Sequence, residues 1–184
     1  MAISIRTELD LQRAMYELLA QRSISQITVE QICQRALIHR SSFYRYYTDK
    51  FDLLAQMVMR ALEELLAAEQ TDAAGSAVMS RFIGTHTEIL RHLLVTNTEG
   101  DNARSQQVIN DCFLAIARTG ATDRVFVMIR NARQPDLTAY LVSGAITSIV
   151  QWLSSDRRDG GDPKIQAAIE TTLASLFSLE QHMI

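Results

Sequence analysis

Residues 28–50, Thr28-Val-Glu-Gln-Ile-Cys-Gln-Arg-Ala-Leu-Ile-His-Arg-Ser-Ser-Phe-Tyr-Arg-Tyr-Tyr-Thr-Asp-Lys50, restrict the fold more than any other stretch. They read as two short helices joined by a tight turn. Thr28 and Gln31 have the spacing of a capping box, in which a hydroxyl and an amide side chain satisfy N–H groups that a helix start leaves unbonded. Val29, Ile32, Cys33 and Ala36 then share one buried side. The second helix covers Arg40–Tyr47. At about 100° per residue, Phe43 and Tyr47 face the core, and Ser41, Ser42 and Arg45 point the opposite way. Arg40 and Tyr44 flank that outer face on one side, Tyr46 on the other.

The rest of the chain repeats the same helical spacing, and no useful length alternates as a strand would. Two prolines and seven glycines leave room for long helices. A first helix is expected over Thr7–Gln21, with Leu11, Met15, Leu18 and Leu19 as its apolar stripe. Thr48 and Asp49 cap a fourth helix, Lys50–Leu66. Small polar residues from Gln70 to Gly75 break the chain. Further helices are expected over Ser76–Val95, Ser105–Arg118, Asp123–Asn131, Leu137–Ser154 and from Pro163 to about Leu179. Thr96–Arg104 and Asp156–Pro163 read as connections. The fold class is all-α, about nine helices.

Bulk properties exclude several classes. The chain has 184 residues, 47% of them apolar, enough for one or two domains with a full core. No apolar run approaches the ~18 residues of a membrane span. The start lacks the apolar segment of a signal peptide, so a cytoplasmic protein with no membrane partner is expected. Cys33 and Cys112 are far apart and read as buried free thiols, not as a disulfide or a zinc site. His86 and His92 have the wrong spacing for a metal pair on one helix face. No phosphate loop, nucleophile elbow or His-Glu-x-x-His run is present, so neither an enzyme nor a cofactor or metal is expected.

Net charge is −3, but residues 1–50 hold seven bases and five acids, a local +2 that leaves −5 for the remainder. A mildly basic head on an acidic body suits local contact with phosphates. An outer face of Arg, Ser, Ser, Tyr and Arg can donate to phosphates and to base edges, and Arg40 or Arg45 has the fork geometry for guanine. Tyr44 on an exposed face has no core reason to be aromatic.

Ile27-Thr28-Val29 through Ser42-Phe43-Tyr44-Arg45-Tyr46-Tyr47-x-x-Lys50-x-x-Leu53-Leu54 resembles the N-terminal domain of TetR-family transcriptional regulators. The resemblance covers roughly residues 7–55. It implies a helix-turn-helix DNA-binding head, residues 1–50, on a helical body, residues 51–184, that forms a homodimer and often holds a ligand cavity. It also implies that Thr28 caps helix two and meets a phosphate, and that Arg40, Ser41 and Ser42 sit at base-reading or backbone positions. Tyr44 and Lys50 match phosphate contacts, and Arg45 and Tyr46 are further candidates. Two positions depart from the family. Leu37 stands where a glycine usually takes a left-handed conformation, and His39 stands where a small cap is usual. Either Leu37 accepts a strain of about 1 kcal/mol, or helix two extends and reshapes the turn.

Two apolar stripes are candidates for a dimer interface: Leu141, Ala145, Ile149, Trp152 and Leu153, and Ile169, Leu173, Leu176 and Phe177. The same residues would serve equally as intramolecular core. Tyr140–Leu153 with Asp162-Pro163 is similar to the C-terminal part of regulators related to dihydroxyacetone-kinase operons. Phe82, His86, Phe113, Phe126 and Tyr140 are candidate ligand-lining residues. The expected partners are a double-stranded DNA operator, a second copy of the chain, and a small-molecule effector or protein co-regulator. The expected function is a DNA-binding regulator acting as a repressor. The alternative is a helical adaptor of the same fold that works through a protein partner, or an activator.

Overall fold

A computed structural model describes residues 2–69, 75–95, 99–121 and 124–178. Among them are ten α-helices, one 3-10 turn and no strand. The head comprises α1 (Ala2–Leu19), the 3-10 turn Ile24–Gln26, α2 (Val29–Ala36) and α3 (Arg40–Tyr46). Leu11, Met15 and Leu19 of α1 pack with Ile32, Cys33, Phe43 and Tyr47, and all seven are buried. α4 (Lys50–Glu69) joins head to body. Its Leu53 and Leu54 enter the head core and its Leu62 reaches the residues of α7 (Glu99–Arg118). The apolar core is therefore continuous through α4, and the residue-50 boundary falls at the start of a helix that serves both parts.

The body continues with α5 (Gly75–Thr85), α6 (Thr87–Leu94), α7, α8 (Arg124–Asn131), α9 (Pro135–Ser155) and α10 (Pro163–Ser178). Buried His92 of α6 donates from Nδ1 to the Leu19 carbonyl at 2.7 Å. That bond satisfies one of the carbonyls left open where α1 ends. Cys33 and Cys112 are free and buried, and burial pushes the Cys112 thiol up to about 11.

α1 starts before its expected beginning at Thr7 and ends before Gln21, and two further boundaries are corrected. The single helix over Ser76–Val95 is divided at His86, which has left the helical region at φ −109°, ψ 18°. The Thr87 hydroxyl stands in for backbone donors there, reaching the carbonyls of Ile83 at 2.8 Å and Gly84 at 3.0 Å. The division raises the helix count from nine to ten. The second correction concerns Thr96–Arg104. Residues 99–104 are not a loop but the first turns of α7, where Asp101 and Arg104 find charged partners at the start of α4 and at the residue before it, described below. Residues 70–74, 96–98, 122–123 and 179–184, including the expected break after Gln70 and the helix end at Leu179, lie outside the described residues.

The division of α5 from α6 sits against a tight contact. A Cβ on Gly84 would lie 2.2 Å from the Gly160 carbonyl oxygen, and one on Gly160 would lie 2.4 Å from Thr87 Oγ1. At Gly84 the obstacle is backbone, which cannot rotate away. Gly84→Ala is expected to cost about 1–3 kcal/mol, seen as a lower melting temperature. Gly144→Ala, in α9 with nothing within 4 Å of the added carbon, is the matched control and should hold or raise stability.

The expected interface stripes divide. Ile149, Leu153, Ile169 and Leu173 are buried inside the chain, in a core patch with Ile83 and Val150. They are intramolecular core, because α10 packs on α5 and α9 packs on α6, and their apolar residues meet around Ile83. Leu141, Trp152 and Leu176 stay exposed at 66%, 41% and 43%, and Ala145 is half-buried. The Phe177 side chain lies outside what is described. α9 is also long and apolar enough, by length and composition, to cross a membrane. Its apolar residues split between the body core and this exposed face.

Candidate nucleic-acid interface

Both bonds of the capping box at α2 are present. The Gln31 N–H donates to Thr28 Oγ1 at 3.2 Å, and the Thr28 N–H donates to Gln31 Oε1 at 2.9 Å. α2 does not extend. Leu37 ends it in the left-handed region, φ 57°, ψ 39°, with its side chain 93% exposed. The Ile38 N–H closes the turn on the Cys33 carbonyl at 2.9 Å. The tight turn thus survives without its usual glycine, and strain is the result. Leu37→Gly is expected to stabilise the fold by about 1 kcal/mol, measured as a higher urea midpoint. The added freedom of the unfolded chain offsets part of the gain.

His39 precedes α3 without a side-chain cap. Its carbonyl accepts from the Ser42 N–H at 2.9 Å. α3 is seated by Phe43 and Tyr47, both buried, with ring centroids 5.6 Å apart. Arg40, Ser41, Tyr44 and Arg45 are exposed on the other side, and Ser42 and Tyr46 are half-buried. Each arginine lies along a tyrosine. Arg40 Nη2 is 3.5 Å from the Tyr44 hydroxyl. Arg45 stands 5.1 Å above the Tyr46 ring and donates to its hydroxyl at 3.1 Å. Among the described residues neither arginine is paired with a carboxylate. By contrast, Arg35 and Arg13 both bind Glu17, at 2.6 and 3.0 Å. The hydrogen bond from Arg35, then that from Arg13, holds the Glu17 carboxyl below the usual range.

Lys50, which the resemblance implies as a phosphate contact, is engaged within the chain. Its side chain is 16% exposed. Nζ donates to the carbonyls of Ile24 at 2.8 Å and Ile27 at 3.2 Å, and to Asp101 at 3.3 Å. All three ammonium donors are thereby engaged within the chain. Asp49, next to it, caps α4 through Oδ1, accepting from the N–H groups of Phe51 at 2.8 Å and Asp52 at 3.0 Å. Its other oxygen accepts from Arg104 at 2.7 Å. Burial raises the Asp49 carboxyl, but Arg104 and the two backbone donors outweigh that and hold it low. Two ion pairs therefore seat the head end of α4 on the first turns of α7. Asp101 and Arg104 are more than fifty residues away in sequence, and no local spacing signals them.

Of the five candidate ligand residues, Phe82 borders both the crevice that His86 lines and the inner cavity that Phe113 lines. Phe82 and His86 line an open crevice between α1, α4 and the α5–α6 division. Phe113 lines a smaller apolar cavity inside the body and meets Phe126 at 5.7 Å. Tyr140 is 46% exposed and donates to Gln107 at 2.7 Å.

Residues 13–57 match the family model described as bacterial regulatory proteins, tetR family. No curated protein matches the chain. Among solved structures, the dihydroxyacetone kinase operon activator DhaS is similar in fold with a TM-score of 0.53 and 15% identity, over 94% of this chain and 97% of that one. NalD, the secondary repressor of the MexAB-OprM multidrug efflux pump in Pseudomonas aeruginosa, aligns with a TM-score of 0.49 and 18% identity, over 93% and 96%. RolR in complex with the ligand resorcinol aligns with a TM-score of 0.47 and 20% identity, over 93% and 89%. The first likeness extends the shared fold from the head to nearly the whole chain.

Proposed function

We propose that this chain, whose residues 13–57 match the family model described as bacterial regulatory proteins, tetR family, binds a palindromic DNA operator as a homodimer, represses transcription there, and is released by a signal received in the helical body. The observation that carries the reading is the outer face of α3. It presents Arg40, Ser41, Tyr44 and Arg45 to solvent, and among the described residues neither guanidinium is paired with a carboxylate. Such a face can enter a major groove, where arginine recognises guanine and hydroxyls meet phosphate. Thr28, Ser42 and Tyr46 flank it and complete the contact set. Lys50 is left out, since its ammonium is occupied.

One recognition helix reads only a few base pairs. Two, placed about 34–36 Å apart by a two-fold axis, read successive major grooves and favour a near-palindrome. The exposed Leu141, Trp152 and Leu176, with Ala145 and Ala168 between them, provide an apolar face on α9 and α10 for that pairing. Residues 1–50 then act as the DNA-binding domain and residues 51–184 as the regulatory and dimerisation domain, in the cytoplasm where the operator lies. The intact turn at Leu37 favours this reading over an adaptor that has lost DNA.

Selection from random duplex DNA by the purified protein, followed by fluorescence anisotropy at two salt concentrations, tests the proposal. A palindromic consensus whose affinity falls steeply with salt is expected. A folded dimer that enriches no sequence overturns it. Within the selected site, Arg40→Ala should reduce discrimination at one base position about tenfold or more while leaving the fold intact. Unchanged preference would remove Arg40 from the reading set.

A further inference from the structure

The crevice at His86 encloses about 370 Å³, within the ~300–1,000 Å³ usual for small-molecule sites. It is walled by the head on one side and the body on the other. Leu9 and Tyr16 come from α1, Met57 and Ala61 from α4, and Phe82 and His86 from the α5–α6 division. The space behind Ala61 and Phe82 is wholly apolar but only about 80 Å³, below that range.

The polar groups of the crevice are few and specific. His86 has been drawn out of the helix, and its Nδ1 shares a 3.0 Å hydrogen bond with the Tyr16 hydroxyl. The Phe82 ring lies 4.6 Å from the imidazole, and Tyr16 meets it edge-on at 6.0 Å. Among the described residues Nε2 is left as the ring's remaining hydrogen-bonding atom. Burial holds the imidazole below its ordinary range, which keeps it neutral near pH 7. The cations at the rim are already matched, Arg13 by Glu17 at 3.0 Å and Arg60 by Glu64 at 3.1 Å. Among the described residues that line the crevice, each guanidinium already has a carboxylate neighbour and Glu64 already has Arg60. An aromatic ring would find apolar walls on three sides.

We propose that this crevice binds an uncharged aromatic molecule bearing one hydroxyl or carbonyl group, with its ring on the apolar walls and its polar group on His86. Such a ligand bridges α1 of the head and α4–α6 of the body, so it holds the head in one orientation. That consequence rests on the DNA-binding reading. Occupancy of the crevice does not.

The test uses the full chain without DNA and 1-naphthol as probe, with naphthalene and 1-naphthoate as comparisons. In the protein with 13C-labelled methyl groups, saturable binding of 1-naphthol is expected, with contacts from its ring to the methyls of Leu9, Met57 and Ile89. Contacts to Met79 and Ile109, which line only the inner cavity, would overturn the site, as would the absence of saturable binding. 1-Naphthoate binding as tightly as 1-naphthol would overturn the stated ligand class. His86→Leu should remove a preference for 1-naphthol over naphthalene of about tenfold. Should that variant not fold, Tyr16→Phe reports on the same hydrogen-bonded pair, and a preference unchanged in the folded variant counts against the proposal. A chain that selects no operator yet shows the crevice contacts loses the DNA-binding reading and keeps this one. An operator-binding chain without the contacts does the reverse.

Discussion

If the chain pairs as proposed, Trp152→Glu is expected to leave each chain folded, convert the dimer to monomers, and lower affinity for the proposed palindromic duplex by about 10²–10⁴-fold. The indole is 41% exposed and borders a surface groove with Ala145, Ala168, Thr172 and Leu176. Small residues on both helices let a second pair approach closely, and aromatic anchors dominate such contacts. The fold should survive, because the indole packs outward against Arg158, 4.3 Å from its ring, and glutamate can pair with that guanidinium. Two monomers must then find their half-sites independently, and the gain from linkage disappears. Sedimentation velocity reads the assembly and anisotropy reads the affinity. Leu141→Arg, at the more exposed end of the same face, provides a second variant. If both variants remain dimeric, the two-fold axis lies elsewhere.

Lys50→Met is expected to destabilise the fold by about 2–3 kcal/mol, with little change in how DNA affinity responds to salt. The thioether cannot donate, so the Ile24 and Ile27 carbonyls lose their partner and Asp101 loses its cation. The methionine conserves most of the stem, which isolates the loss of the ammonium from the loss of packing. A phosphate contact would show differently. Removing one lowers the slope of log affinity against log salt by ~0.9 and leaves urea stability near its starting value. That outcome would place the ammonium on DNA and return Lys50 to the contact set. Asp101→Asn separates the carboxylate from the carbonyls. It should cost less than Lys50→Met, because the two backbone bonds remain.

The head was the most legible part, and the reason is local. The Thr28–Gln31 box, the buried side at Ile32 and Cys33, and the opposed Phe43 and Tyr47 all follow from spacings of three or four residues. Those spacings hold wherever the helix is placed. Leu37 was legible as a strained position, but the choice between a left-handed leucine and a longer helix required the Ile38–Cys33 hydrogen bond to be seen. His39 showed the reverse case, a poor cap that the turn accepts without a side-chain bond.

Further along, the corrections at Lys50 and at residues 99–104 came from partners distant in sequence. Polar residues 99–104 resemble a loop until Asp101 and Arg104 meet Lys50 and Asp49. Lys50 resembles a free cation until the 3-10 turn brings two carbonyls to it. The apolar stripes of α9 and α10 were plain in the residues, yet which side faced the core and which faced solvent was not. Periodicity defines a face of a helix, but only packing assigns that face to a neighbour. The amino-acid order therefore dictated the all-helical class, α3 and its outward residues, because those depend on backbone sterics and short-range hydrogen bonds. The division at His86, the inward turn of Lys50 and the crevice between head and body were settled by assembly, because each depends on groups that meet only when helices far apart in the chain come together.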